Sequence, residues 1–257
     1  MIGGLIMIDT HCHILSEYYD NIDEEIEMIK EAGVKAIIVN GTNITNCKEV
    51  LSLVSKYDIV YGAIGFHPTE LDGVELECLD FIEKNISNDK IVAIGEIGLD
   101  YHYDNTAKEK QQLFFRKQLD IASKYHKPVI IHSRDAIGDT YNILKEYSVS
   151  GVLHCYSGSL EMAREFIKLG ICLGIGGVCT YNNAKNIIDV IKNIGLQYIL
   201  LETDAPYLTP VPYRKNANSP KYLGVIANKI AYIKEISYDD VVRTTSANAG
   251  RVFDIYR

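Results

Sequence analysis

His11 and His13 stand one residue apart in "MIDTHCHILSE", directly after the apolar run "LIMI" and Asp9. On a β-strand, residues i and i+2 project to the same face. The two imidazoles would therefore emerge side by side from the end of a first strand. An isolated His-x-His also has an ordinary reading, as a chance pair at an exposed strand end, so a chemical reading needs partners elsewhere. Candidates recur along the chain: His67 in "GFHP", Glu96 in "GEIGLDY", His132 in "IIHSR", His154 in "LHCYSG", and Glu202 and Asp204 in "LLETDAPY". Six of the seven histidines fall at or just after the end of an apolar run or in the loop that follows, and only His126 sits in a helix tail. Imidazoles and carboxylates together make a donor set for Zn²⁺ or a similar divalent ion. Burying such a group is costly unless every polar atom finds a partner, and coordination supplies one. The pattern assigns His11 and His13 to a first ion, completed by Asp204 and Glu96, and His132 and His154 to a second. Glu96 is the best-placed bridge, and two ions about 3.5–4 Å apart form a clamp for hydrolysis.

That chemistry requires the strand ends to converge. Eight apolar runs read as strands: "LIMID", "VKAIIVN", "IVYGAIGF", "IVAIGEI", "PVIIH", "GVLHC", "ICLGIG" and "YILLE". They are rich in Ile and Val and nearly continuous, as strands buried on both faces are. Amphipathic segments alternate with them. "DEEIEMIKEAG" places Ile26, Ile29 and Ala32 on one face and ends at Gly33, a suitable C-terminal cap. "AKEKQQLFFRKQLDIASKYHK" puts Leu113, Phe114, Gln118 and Ile121 along one stripe before Pro128 ends it. Strand–helix alternation implies a parallel sheet, and eight units predict a closed (β/α)₈ TIM barrel in the α/β class, with the whole chain, 1–257, as a single domain. No G-x-G-x-x-G follows the first strand, against a dinucleotide fold. In a barrel all the polar strand ends meet at one mouth. Four of the six prolines lie in "APYLTPVPYRKNANSPKY" after the eighth strand, a loop on that same face. Met7 is an alternative start, which would make residues 1–6 an upstream extension, although Leu5 and Ile6 can also belong to the first strand.

The totals fit a soluble globular enzyme. Hydrophobic residues make up 47% and charged residues 23%. No run approaches the ~20 apolar residues of a membrane span, and no secretory signal opens the chain. Six scattered cysteines without a C-x-x-C pair read as reduced thiols, which fits a cytoplasmic location. A net charge of −8 argues against a broad basic footprint for duplex nucleic acid. It leaves room for nucleic acid held where bound ions supply positive charge. The oligomeric state is open, and a monomer is compatible with everything above.

The ordered blocks "DTHCH", "GFHP", "GEIGLDY", "PVIIHSRDA", "HCYSG" and "LETDAPYLTP" resemble the motif series of the TatD family, metal-dependent nucleases within the amidohydrolase-like barrel superfamily. "SANAGRVF" resembles the family's closing helix, so the resemblance spans essentially the whole chain. Tyr156, where phenylalanine is common, is a mild departure. The resemblance implies a (β/α)₈ barrel and a two-metal site with ligands His11, His13, Glu96, His132, His154 and Asp204. It also implies Mg²⁺-, Mn²⁺- or Zn²⁺-dependent cleavage of DNA, commonly 3′→5′ on single strands. Glu96 takes the place that a carbamylated lysine holds in many related barrels.

Within that scheme Asp204 is the preferred general base, Glu96 the bridge, and His67 a phosphate contact or leaving-group donor. Arg134 and Arg214 would contact the phosphodiester backbone, while Lys215 and Lys221 read as a solvated loop. Tyr101, Tyr103, Tyr156 and Tyr207 lie in mouth loops where aromatic rings can stack on bases. Glu202 would bind a further ion, orient a ligand or simply pack at its strand end. The rival activity is hydrolysis of a small lactone, phosphotriester or aminoacyl ester on the same barrel. A metal-stabilised binding module without turnover is a further rival, against which the complete ligand set speaks.

Overall fold

Eight strands form where the eight apolar runs lie: β1 (Met7–Cys12), β2 (Val34–Asn40), β3 (Val60–Ile64), β4 (Ile91–Asp100), β5 (Val129–Arg134), β6 (Gly151–Leu153), β7 (Ile171–Ile175) and β8 (Ile199–Leu201). They belong to a computed structural model that describes residues 5–103 and 107–255. Between and after them come α1 (Ile22–Glu31), α2 (Ile44–Lys56), α3 (Asp80–Asn85), α4 (Lys108–Tyr125), α5 (Ile137–Leu144), α6 (Leu160–Lys168), α7 (Lys185–Asn193), α8 (Leu223–Lys234) and α9 (Tyr238–Phe253). The helix starts follow their capping residues. Asn21, Asn43, Ser159 and Ser237 each accept a backbone N–H of the first turn of α1, α2, α6 and α9.

The strands pair in sequence order, every pair parallel. The circle closes at the mouth, where Cys12 bridges Ala205, His13 N donates to Ala205 O at 2.7 Å and Asp204 N donates to His11 O at 2.9 Å. This is the expected (β/α)₈ barrel. Of the proposed upstream extension, residues 1–4 lie outside the described residues, while Leu5 and Ile6 are exposed and precede β1.

Alternation along the strands divides the apolar side chains into two groups. Val129 and Ile131, Leu153, and Ile199 and Leu201 join the large core between sheet and helices. Ile130, Val152 and Leu200 point the other way, into a second cluster with Ile8, Ile38, Ala63, Val92 and Cys172 from the remaining strands. Phe253 and Ile255, at the end of the chain, join this barrel interior. Residues two beyond those inward positions share their face; they are His132 on β5, His154 directly after β6 and Glu202 directly after β8.

Helix α4 departs from expectation at one position. Phe114, Gln118 and Ile121 are buried as the periodicity predicts, but Leu113 is exposed, because the buried stripe runs through Gln111 and Phe115 instead. Gln111 and Gln118, seven residues apart, lie on one helix face and each grips a strand end. Gln111 accepts from Asp100 N and donates to Asp100 O, both at 2.8 Å. Gln118 accepts from Phe66 N at 2.7 Å and donates to Phe66 O at 3.1 Å. The backbone groups beside His67 and after Glu96 are thereby satisfied without a strand partner.

Candidate metal centre

Two buried acids organise the mouth. Asp9 accepts from His11 N and Thr203 N, both at 3.1 Å, and from the Thr203 hydroxyl at 2.5 Å. These bonds tie β1 to the end of β8 and bring Asp204 beside the paired histidines. On the other wall, Gly98 at φ +143° pairs with His132, where a Cβ would meet His132 O at 2.0 Å. Only glycine permits that approach, which sets β5 against the strand carrying Glu96.

Glu96 stands between two donor sets. Its Oε2 lies 3.5 Å from Nε2 of both His11 and His13. Those two nitrogens are 3.1 Å apart and lie 3.5 and 3.6 Å from Asp204 Oδ1. Its Oε1 lies 2.8 Å from His154 Nε2 and 3.0 Å from His132 Nδ1, which are 3.1 Å from each other. Donors about 2.1 Å from a tetrahedral ion are separated by about 3.4 Å, and the first set falls at that spacing. Three overlapping groups are capable of coordination: His11, His13 and Asp204; His11, Glu96 and His154; and His67, Glu96 and His132. The donor set fits one or more divalent ions.

For His13, His67 and His132, hydrogen bonds on the far side of the ring bear on what the near side offers. His13 Nδ1 donates to Asn40 O at 3.1 Å, leaving a lone pair on Nε2. His132 is turned round: Nε2 donates to Asp100 Oδ2 at 2.9 Å, leaving Nδ1 to face Glu96. A carboxylate or carbonyl behind a histidine is the usual support of a metal ligand. His67 differs. Its Nδ1 lies 3.2 Å from Thr69 N and 2.7 Å from the Thr69 hydroxyl; with Nδ1 accepting there, the proton of the neutral ring sits on Nε2, 3.4 Å from Glu96 Oε1. In that form His67 meets the centre as a donor. The Nδ1 atoms of His11 and His154 are buried without a hydrogen-bond partner.

Charge follows from the same contacts. Burial opposes ionisation of Glu96, but His154, His67 and His11 outweigh it and hold the carboxyl well below the usual range. Asp204 is likewise held low, chiefly by His13 against the cost of burial. Burial pushes His11 down to about 4, so this ring is neutral and ready to coordinate. Glu202 behaves oppositely: burial, reinforced by Asp204, raises its carboxyl well above the usual range.

A cavity of about 650 Å³ opens above this centre. His13, His67, Glu96, His132, His154 and Asp204 line it, as does Arg134; His11 lies deeper, fully buried. Two expected substrate contacts are elsewhere. Tyr156 is buried, its hydroxyl donating to Ser159 O at 2.6 Å, because the turn after His154 folds the ring back under Gly158. Arg214 stacks its guanidinium 4.0 Å from the centre of the Tyr181 ring and stands outside the cavity lining. Glu202 packs at its strand end, accepting Cys155 N with one oxygen while the other has no hydrogen-bond partner. A Cβ at Gly174 would collide with this carboxyl. Asp100, Asn40 and Gln111 were not singled out by the sequence, and Gln118 only as part of a helix stripe; for Asp100 the signal was there, four residues beyond Glu96 on the same strand.

The profile of the family described as TatD related DNase matches residues 8–254. An uncharacterized metal-dependent hydrolase of Bacillus subtilis, YabD, is 40% identical over 254 residues, covering 97% of this chain and all of the relative. The chain belongs to the TatD-related DNase family. It is a TatD-type metal-dependent hydrolase, and its family relatives include YcfH of Escherichia coli, 32% identical across 98% of this chain and 97% of its own. The crystal structure of YjjV, a TatD homologue from E. coli, superimposes with a TM-score of 0.92 at 33% identity, covering 97% of this chain and 98% of that one. An organophosphorus hydrolase from Deinococcus radiodurans, at 14% identity and a TM-score of 0.65, shares the fold alone. Among the described residues no helix is long and apolar enough to cross a membrane.

Proposed function

We infer that this TatD-family hydrolase cleaves phosphodiester bonds of DNA, working 3′→5′ on single strands, with two divalent ions held on either side of Glu96. The observation that carries the reading is the division of the Glu96 carboxylate, Oε2 toward His11 and His13 and Oε1 toward His132 and His154. The family description as a DNase supports the substrate class. His11, His13, Asp204 and Glu96 would hold the first ion, and Glu96, His132 and His154 the second, with Mg²⁺, Mn²⁺ and Zn²⁺ all suited to such donors. Bound ions would supply Lewis-acid polarisation of the phosphate and a water of lowered pKa.

The protein's own groups divide the remaining work. Asp204, ionised and at the cavity edge, receives the proton of the attacking water as general base. His67, its Nδ1 engaged by Thr69, donates from Nε2 to a phosphate oxygen or to the departing oxygen. Arg134 contacts the phosphodiester backbone from the cavity wall.

Metal-stripped protein incubated with end-labelled single-stranded DNA, with Mg²⁺, Mn²⁺ or Zn²⁺ restored separately, tests the reading. A metal-dependent ladder shortening from the 3′ end, lost in His132→Ala, is expected. No cleavage with any ion bound would overturn it in favour of a small-ester hydrolase.

A further inference from the structure

Two tyrosines stand at the lip of the cavity on the His13 side. Tyr207, in the loop after β8, has its ring centre 6.3 Å from that of His13, and Tyr18, in the loop after β1, lies 5.7 Å further out at 72° to Tyr207. Both line the cavity, and they remain 49% and 40% exposed. Tyr19, the residue after Tyr18, behaves differently: it turns inward and donates to Asn218 O at 2.8 Å.

The backbone beneath the pair is fixed. Tyr207 N donates to Asp204 O at 2.8 Å, and buried Asn218 donates to Tyr207 O at 2.6 Å and Thr203 O at 2.7 Å. Tyr18 N donates to Leu15 O at 2.9 Å. A fixed aromatic corner loses little freedom when a flat partner lands on it.

Charge says what that partner must be held by. The chain carries a net charge of −8, and Arg134 is the one lysine or arginine among the described residues lining the cavity. Cationic side chains alone give an anionic strand little purchase here. Base stacking on aromatic rings supplies affinity that does not depend on sequence.

We propose that Tyr207 and Tyr18 form a stacking subsite for one nucleobase, on the His13–Asp204 side of the scissile phosphodiester. The proposal rests on the nuclease reading above and makes the recognised unit a nucleotide rather than a phosphodiester alone.

Calorimetry on the protein with its metal bound tests it, using deoxyadenosine 5′-monophosphate against deoxyribose 5-phosphate. The nucleotide binds about tenfold tighter or more. Tyr207→Ala and Tyr18→Ala abolish most of that difference, Tyr207→Phe keeps it, and deoxyribose 5-phosphate binds equally to all four proteins. Equal affinity for the two probes in the wild type overturns the proposal, as does a preference that survives both alanine variants. Should Tyr207→Ala lose metal, Tyr18→Ala, the outer ring, decides. A nucleotide preference without cleavage of DNA would sink the nuclease reading and leave the subsite. Cleavage without the preference would do the reverse.

Discussion

Asp100 Oδ2 lies 2.9 Å from His132 Nε2, and this contact presents the opposite ring nitrogen, Nδ1, to Glu96 at 3.0 Å. The carboxylate is itself fixed, because Gln111 brackets the Asp100 peptide and the second oxygen accepts His102 N at 2.9 Å. Asp100→Ala therefore weakens metal affinity at the His132–His154 end by about 10–100-fold, with the His11–His13 end little changed. Chelator competition that follows the two ions separately measures this. Equal loss at both ends, or at neither, would show that Asp100 does not position His132.

The same contact sets a pH dependence. In the metal-free chain burial opposes charging of His132, but Asp100 and Glu96 outweigh it and push the ring up to about 9. Because this lies above the ordinary value of about 6.5, the charged ring stabilises the metal-free fold fully below about pH 6.5. That contribution is lost as pH rises through about 9. Coordination needs the neutral ring, so affinity at this end strengthens with pH, by up to about tenfold per unit, and levels off above about 9. Calorimetry in buffers of different ionisation enthalpy should detect the released proton; pH-independent affinity between 7 and 9 would rule the assignment out.

His67 divides the donor from the ligands. With Nδ1 engaged by Thr69 and Nε2 left as donor, His67→Ala lowers turnover by about 10²-fold or more while the ion count per chain stays that of the wild type. Loss of an ion in this variant would make His67 a ligand, as its grouping with Glu96 and His132 also permits.

Gln118 serves a buried peptide that no strand satisfies. Gln118→Ala strands Phe66 N–H and C=O in the core, at a cost of about 1–3 kcal/mol for each group left unpaired. Chemical denaturation of the metal-loaded protein checks this. A loss below about 0.5 kcal/mol, within the range of an ordinary surface change, would mean that water or a neighbour replaces the amide.

The barrel and the gathering of the proposed ligands at its mouth were legible because both are written locally. Each strand is an apolar run, and the proposed ligands lie in or just after the mouth end of theirs, so alternation carries His132 and His154 inward from Ile130 and Val152. What stayed hidden depends on contacts between distant segments. Which nitrogen of His132 faces inward is decided by Asp100, 32 residues away, and the grip of Gln118 on Phe66 spans 52. Periodicity placed Gln118 on the buried stripe but misplaced Leu113, because it gave no reason to bury Gln111, which turns inward to satisfy Asp100 as Gln118 satisfies Phe66. Its place after the sixth apolar run put Tyr156 in a mouth loop but did not show the turn that folds it under Gly158.

The division of Glu96 between two donor sets is the centre of the account, and counting ions tests it most directly. Elemental analysis of metal-saturated protein should find two ions per wild-type chain and fewer than two in Glu96→Ala, with the DNA cleavage expected of the wild type lost alongside. Two ions retained in Glu96→Ala, or a single ion in the saturated wild type, would contradict it.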